Sequence, residues 1–176
     1  TVGLAMLPGG LINGAISPLM GYLFDKFGPR WLLIPGIVMM TVTVFLFRSL
    51  GEGTTPFTIV VLYAMLMVSV AMVMMPAQTN GLNQLPENLY PHGSAVANTL
   101  MQVSGAIGTA LFITIMTIGQ QQYMAGIEHP NASDETAALA AGIQQSFTFG
   151  LVLAIIALIL ALFTKRVTGP VNTEMK

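Results

Sequence analysis

The residues of this chain that could do chemistry are few and far apart. Of 176 residues, six are Lys or Arg, seven are Asp or Glu, and none is Cys. The two histidines, His92 and His129, fall in different predicted loops and lack the spacing of metal ligands. No nucleophile stands beside a base, and no two carboxylates fall within reach of a common site. These residues therefore predict no enzyme, no metal site and no cofactor site.

The composition shows what surrounds these few charges. Hydrophobic residues make up 54% of the chain and charged residues 7%, and the mean hydropathy is +0.76. A soluble domain carries about a quarter charged residues, which keep its surface hydrated. The formal net charge of −1 offers no basic field for a nucleic acid. The sequence therefore excludes nucleic-acid binding and predicts a membrane protein in contact with lipid.

Five apolar segments are each long enough to cross a bilayer as a helix, which takes about 20 residues. We name them a to e, and they cover about 3–23, 31–47, 57–80, 94–118 and 146–163. Helices are expected because they satisfy their backbone hydrogen bonds within one segment. The predicted fold class is all-α, integral membrane, with five transmembrane helices. The predicted membrane region covers 1–166, with an external loop at about 120–145, and a cytoplasmic tail covers 167–176.

Basic residues near the ends of the segments predict the orientation, because they favour the cytoplasmic side. Five spans place the a–b loop, the c–d loop and the C-terminus on one side of the membrane. That side carries Lys26, Arg30, Lys165, Arg166 and Lys176, whereas the other side carries Arg48. The sequence thus predicts a multi-pass protein of a bacterial plasma membrane with a cytoplasmic C-terminus. Because the chain begins without an initiator Met, we expect it to be a piece of a longer protein.

Segments b and e are almost uniformly apolar and can face lipid on much of their circumference, whereas a, c and d carry polar and small residues. Gly10 with Gly14, and Ser104 with Gly108, have the spacing that lets another helix come close. The candidate cavity-lining residues of a, c and d are Asn13, Met67, Gln78, Asn98 and Gln102. They allow two interpretations: helix packing through interhelical hydrogen bonds, or the lining of a cavity for apolar ligands. The residues alone leave both open.

The loop between a and b has the most specific pattern, Gly21-Tyr22-Leu23-Phe24-Asp25-Lys26-Phe27-Gly28-Pro29-Arg30. Asp25 follows the end of a helix, where a carboxylate opposes the helix dipole and requires a compensating partner. Lys26, Arg30 or the start of the next helix could supply it. Gly28 permits a tight reversal, and Pro29 suits the first position of a helix.

This loop resembles the signature Gly-x-Leu-x-Asp-Lys-x-Gly-x-Arg of the major facilitator superfamily, found between the second and third helices of each half. Pro29 departs from it, since that position often holds a basic residue or Ala. Other segments are similar to the C-terminal end of the fourteen-helix drug:proton antiporters of the EmrB/QacA type: 7–10, 17–21, 75–80 and 93–99. The chain therefore resembles the last five helices of such a carrier, part of the C-terminal half of the fold.

The resemblance implies alternating access driven by a proton gradient, with efflux of small hydrophobic drugs. It implies that Gly21, Asp25, Lys26, Gly28 and Arg30 form a gating loop motif, in which Asp25 and Arg30 latch the two halves of the protein together. It also implies that a, c and d surround the central cavity, while b and e lie at the periphery.

Proton coupling needs a titratable group inside the membrane, and none of the five segments has an Asp, Glu, His, Lys or Arg in its interior. Protons would therefore be carried by residues upstream of Thr1, and the missing N-terminal helices are expected partners. This piece alone is then not expected to transport. Two alternatives stay open: a carrier of the same superfamily for another solute, such as amino acids or peptides, and a non-transporting membrane structural subunit.

Overall fold

The structure is a computed structural model that describes residues 2–50, 54–125, 127 and 131–164, with 2–8 described by their backbone alone. Within these ranges the chain is helical, without strands. The α-helices are α1 (Val2–Phe27), α2 (Pro29–Arg48), α3 (Pro56–Leu82), α4 (Tyr90–Met124) and α5 (Ala132–Phe163), and a 3₁₀ turn spans Glu87–Leu89. Each of the segments a to e lies within one of these helices, which confirms the all-α prediction. The predicted tail at 167–176 lies outside the described residues.

Four stretches of the described chain are long and apolar enough to cross a membrane. They are Pro29–Arg48, Pro56–Leu82, Glu87–Met124 and Ala132–Phe163. The helix α1 has 26 residues, long enough to cross a bilayer. Gly9 and Asn13 of α1 lie against the neighbouring helix α3.

The helices on either side of the predicted 120–145 loop both extend into that loop. Helix α4 continues to Met124, and α5 begins at Ala132. The amide oxygen of Asn131 accepts hydrogen bonds from the N–H groups of Ser133 and Asp134 at 3.1 and 3.2 Å, and the Asp134 carboxylate accepts from the Asn131 N–H at 3.0 Å. This capping box starts the helix. The sequence bounds followed the apolar residues, whereas Ala and Gln continue a helix without being strongly apolar.

The helices pack as a row in the order α1, α3, α2, α5, α4. Helix α3 packs along both α1 and α2, α2 packs along α5, and α5 packs along α4. Helices α3 and α4 meet only weakly, although they follow each other in the chain. The helix α4 therefore stands at one edge of the bundle and is held mainly by α5.

The core lies where α1, α2 and α3 converge. Met20, Phe24, Leu32 and Ala71 are buried together there. Close contact of α2 with α3 depends on Gly36, because a Cβ at that position would lie 2.8 Å from the Met72 Cβ. This packing positions the turn between α1 and α2 rigidly at one end of the bundle.

Helix α2 of segment b has one packed face and one exposed apolar face, which includes Val38, Val42 and Phe45. Among the four apolar stretches, the most apolar part of α2 has the largest buried share, and the most apolar part of α4 contains no buried residue. Leu32, Leu33 and Ile37 of α2 are each 5% exposed or less. Apolar side chains suit lipid and helix contacts equally, so composition alone could not tell these two environments apart.

Candidate functional site

The turn between α1 and α2 is built around one glycine. Gly28 has a φ of 83°, a conformation that other residues rarely adopt. Its N–H donates a hydrogen bond to the Phe24 carbonyl at 2.8 Å, which closes the last turn of α1. Pro29 follows at the first position of α2 and is buried. A single residue thus reverses the chain, so that the end of α1 and the start of α2 lie side by side.

Three charged side chains of this turn, Asp25, Lys26 and Arg30, are exposed. The Lys26 ammonium lies 5.4 Å from the centre of the Phe27 ring. One guanidinium nitrogen of Arg30 donates to the backbone carbonyl of Leu162 at 2.6 Å. The turn is therefore attached to the last turn of α5. The predicted latch between Asp25 and Arg30 stays a prediction.

The end of the bundle that holds this turn also holds the connection from α3 to α4 and the end of α5. We call it the charged end. Gly21 lies on α1 just before it, and a Cβ there would lie 2.9 Å from the terminal methyl of Met75 in α3. That neighbour is the flexible tip of a side chain, so the close approach at Gly21 is of a side chain and not of a backbone.

Asn13 and Met67 lie together at the contact between α1 and α3. The Asn13 amide donates to the Met67 carbonyl at 2.8 Å, and the Ser17 hydroxyl donates to the Asn13 carbonyl at 2.8 Å. Nearby, a Cβ on Gly9 would lie 2.6 Å from the Tyr63 ring. These contacts join two helices in the apolar interior, as the packing interpretation describes.

Gln78 is half-buried and borders a cavity at the charged end. The cavity has a volume of about 470 Å³ and lies between the end of α3 and the start of α4. Its lining is mostly apolar and includes Leu82, Leu85, His92 and Val96. It occupies the gap that opens because α3 and α4 diverge from their connection.

Asn98 and Gln102 lie exposed on the first half of α4. Within the described helix, Gly119 is the only buried residue, so residues 94–111 present their polar and small side chains outward. The hydroxyls of Thr99 and Thr109 donate to carbonyls of the same helix at 2.9 Å. This stretch of α4 is therefore a helix surface without a cover from the described part of the chain.

The small-residue pairs singled out by spacing do not mark the closest helix contact. A Cβ at Gly10, Gly14 or Gly108 would meet no atom within 4 Å. Among the described glycines, the closest approach to the backbone of another helix is instead between α4 and α5, where a Cβ on Gly119 would lie 2.9 Å from the Gly142 Cα.

The α4–α5 contact leaves no room at Gly142, because a Cβ there would overlap the Met116 carbonyl. One turn further along α5, the Ser146 hydroxyl donates to the Phe112 carbonyl at 3.0 Å. Ala138, Gly142 and Ser146 recur every four residues and are all buried. The same spacing argument, applied to α5, could have found this contact in the sequence.

Comparison with known proteins agrees with this geometry. The chain is 52% identical over 166 residues, 94% of its length, to the lincomycin resistance protein LmrB of Listeria monocytogenes. It is 35% identical over 172 residues, 98% of its length, to YcnB of Bacillus subtilis, named an uncharacterized MFS-type transporter. The chain belongs to the major facilitator superfamily. Over 114 residues it is 30% identical to the probable multidrug resistance protein EmrY of Escherichia coli.

The chain spans only about a third of these superfamily proteins, since it covers 35% of the length of LmrB and of YcnB. This coverage fits the C-terminal portion of a major facilitator drug transporter, as the a–b loop predicted. No family model matches the chain, and no solved structure matches it. With bacterial relatives and several helices suited to a bilayer, the chain is part of a multi-pass membrane protein.

Proposed function

We propose that the whole protein exports small hydrophobic drugs from the bacterial cell in exchange for protons, by alternating access. The observation that carries the proposal is the 52% identity to a lincomycin resistance protein, together with the likeness to a multidrug resistance protein. Relatives at this level of identity make lincomycin the first drug to test. In this proposal the charged end faces the cytoplasm, in accord with the basic residues found there.

The surface of α4 supports a drug path in this protein. An amide that faces lipid is costly, so exposed amides in a membrane helix indicate a polar cavity or another helix. Asn98 and Gln102 are exposed on α4, and Gln78 borders the cavity beside the same helix. We therefore assign these three amides to the wall of the drug path, which the remaining helices of the whole protein would complete.

The proton path is expected to lie outside this segment. Among the described residues, every Asp, Glu, His, Lys and Arg lies at or near a helix end, such as Asp25 at the end of α1 and His92 in the first turn of α4. A proton carrier must instead sit within the membrane and be reached from both sides in turn. We propose that helices beyond residues 1–176 supply it.

Lincomycin resistance tests this proposal directly. The whole protein, expressed in a bacterial host that lacks its own drug pumps, should raise the minimal inhibitory concentration of lincomycin and lower its accumulation in the cells. A protonophore should restore accumulation, because the gradient drives export. A protein that is abundant in the membrane yet leaves accumulation of lincomycin and of a hydrophobic dye unchanged would contradict drug export. Uptake or export of an amino acid or peptide would then favour the alternative carrier.

A further inference from the structure

The last turn of α5 needs a donor that its own helix does not provide. The final four carbonyls of a helix have no partner within that helix, and a cation near them is favoured by the helix dipole. Helix α5 has no basic residue in its last turn. Arg30 supplies the donor from another helix, with its guanidinium 2.6 Å from the Leu162 carbonyl.

The position of Arg30 in its own helix does not explain its presence. It is the second residue of α2, directly after Pro29. A cation at the start of a helix is opposed by the positive end of the helix dipole. The dipole of α2 therefore disfavours Arg30, whereas the bond of Arg30 to the end of α5 joins residues 132 positions apart in the chain. This bond compensates the unfavourable placement in α2.

Helix α5 in turn holds α4. Ser146 bonds to the Phe112 carbonyl, and Gly142 packs against Gly119, both in the half of α4 that lies away from the charged end. Near the middle of α5, Phe147 stacks on Phe47, which lies at the end of α2, with ring centres 5.1 Å apart. Helix α5 thus packs along α2 from this ring stack to the bond with Arg30 at the start of α2.

We propose that Arg30 is a positioning residue, which fastens the last turn of α5 to the start of α2 and thereby sets where α5 holds α4 relative to α1, α2 and α3. The structural part of this proposal stands without the proposed drug export. The functional part rests on it, because the exposed amides of α4 would shift with α5 when the bond is lost.

Hydrogen–deuterium exchange of the whole protein tests the bond without any transport measurement. The variants are Arg30→Gln, Arg30→Lys and the control Lys26→Gln, which removes the same charge from the same turn but leaves Arg30 in place. Arg30→Gln should speed exchange of the last turn of α5, residues 158–164, by about three- to tenfold, because a charge-assisted hydrogen bond to an exposed helix end is lost. Arg30→Lys should restore most of the protection, since an ammonium also donates to a carbonyl. Lys26→Gln should leave exchange in α5 at the wild-type rate.

Lincomycin export by the same variants separates the structural part of the proposal from its functional part. Faster α5 exchange in Arg30→Gln, with reduced export that Arg30→Lys recovers, supports the positioning role. Unchanged α5 exchange in Arg30→Gln overturns it, whatever happens to export. Equal acceleration by Lys26→Gln also overturns it, because the effect would then come from charge and not from the bond. If the wild-type protein exports no drug while α5 exchange responds as expected, the structural part is supported and the proposed function alone has failed.

Discussion

The same amide side chain has opposite surroundings at Asn13 in α1 and at Asn98 in α4. Asn13 is half-buried and donates to the Met67 carbonyl at 2.8 Å. Asn98 is exposed, on a helix whose only buried residue is Gly119. An amide bonded between helices contributes to packing, whereas an amide facing lipid is costly. The polar residues of α1 thus find a partner within this segment, and those of α4 require one from beyond it.

The two regions also differ in how they are held. Helices α1, α2 and α3 share a buried core around Phe24 and Leu32, so their relative positions are fixed by packing on several sides. Helix α4 is fastened along one line to α5, through Gly119 and Phe112. A helix attached on one side can offer its other sides to a ligand or to moving partners. This is the feature that makes α4 the expected wall of the drug path.

The largest effect on stability is expected at the single line of attachment of α4. Gly142→Leu would force its side chain into the Met116 carbonyl, a backbone atom that cannot move aside. We expect a loss of about 3 kcal/mol of folding free energy, seen as a lower melting temperature of the whole protein in detergent. Gly10→Leu is the matched control, since a Cβ there meets nothing within 4 Å. Equal destabilisation by both variants would mean that the α4–α5 contact at Gly142 is not packed more tightly than the surroundings of Gly10.

Gln102→Ala is expected to lower lincomycin export strongly while leaving the melting temperature unchanged. Gln102 is exposed, so truncation removes a polar group from the proposed path without disturbing a contact in this segment. Gln121→Ala is the control, because Gln121 is also exposed on α4 but lies beyond Gly119, at the other end. Normal export by Gln102→Ala, at equal expression, would remove the distinction between the two halves of α4.

Asn13→Ala should lower stability and leave export intact, the reverse of what is expected for Gln102→Ala. It removes the bond to the Met67 carbonyl, and an interhelical hydrogen bond in a membrane protein contributes about 1 kcal/mol. The melting temperature should fall modestly, and export by the protein that remains folded should persist. A large loss of export without a loss of stability would place Asn13 in the cavity, as the second interpretation of the sequence allowed.

A small effect on stability is expected for Ser146→Ala. Its hydroxyl bonds to the Phe112 carbonyl at 3.0 Å, and the loss of one such bond should cost about 0.5 kcal/mol. Ser104→Ala, on the exposed part of α4, should cost less than the thermal-unfolding measurement can resolve. If the Ser104 variant were the more destabilised, the exposed stretch of α4 would be a packed surface in the whole protein.

Local chemistry was enough to predict the turn between α1 and α2. Gly28 has the positive φ that a tight reversal needs, and Pro29 starts the next helix as expected. The bond from Arg30 to Leu162 could not be predicted, because it joins residues 132 positions apart. No local sequence pattern indicates a contact between residues so far apart in the chain. The latch between Arg30 and Asp25, which the resemblance implied, stays a prediction.

Composition and spacing also had limits in the helices. Uniformly apolar segments suit lipid and helix contacts equally, so composition did not distinguish the buried face of α2 from its exposed face. Polar stripes looked alike in α1 and α4, and only the packing order of the helices separated Asn13 from Asn98. Spacing did predict that small residues bring helices together, but the pair that does so, Gly119 and Gly142, lies on two different helices.

Reactivity of single cysteines would distinguish α1 from α4 most directly. In the whole protein, freed of any other cysteines, Asn13→Cys and Gln102→Cys would be exposed to a membrane-impermeant maleimide with and without lincomycin. We expect Gln102→Cys to react and to be protected by lincomycin, because it lines a wet drug path, and Asn13→Cys to stay unreactive between α1 and α3. Equal reactivity at both positions, or no reaction at Gln102→Cys, would contradict the assignment of α4 to the drug path.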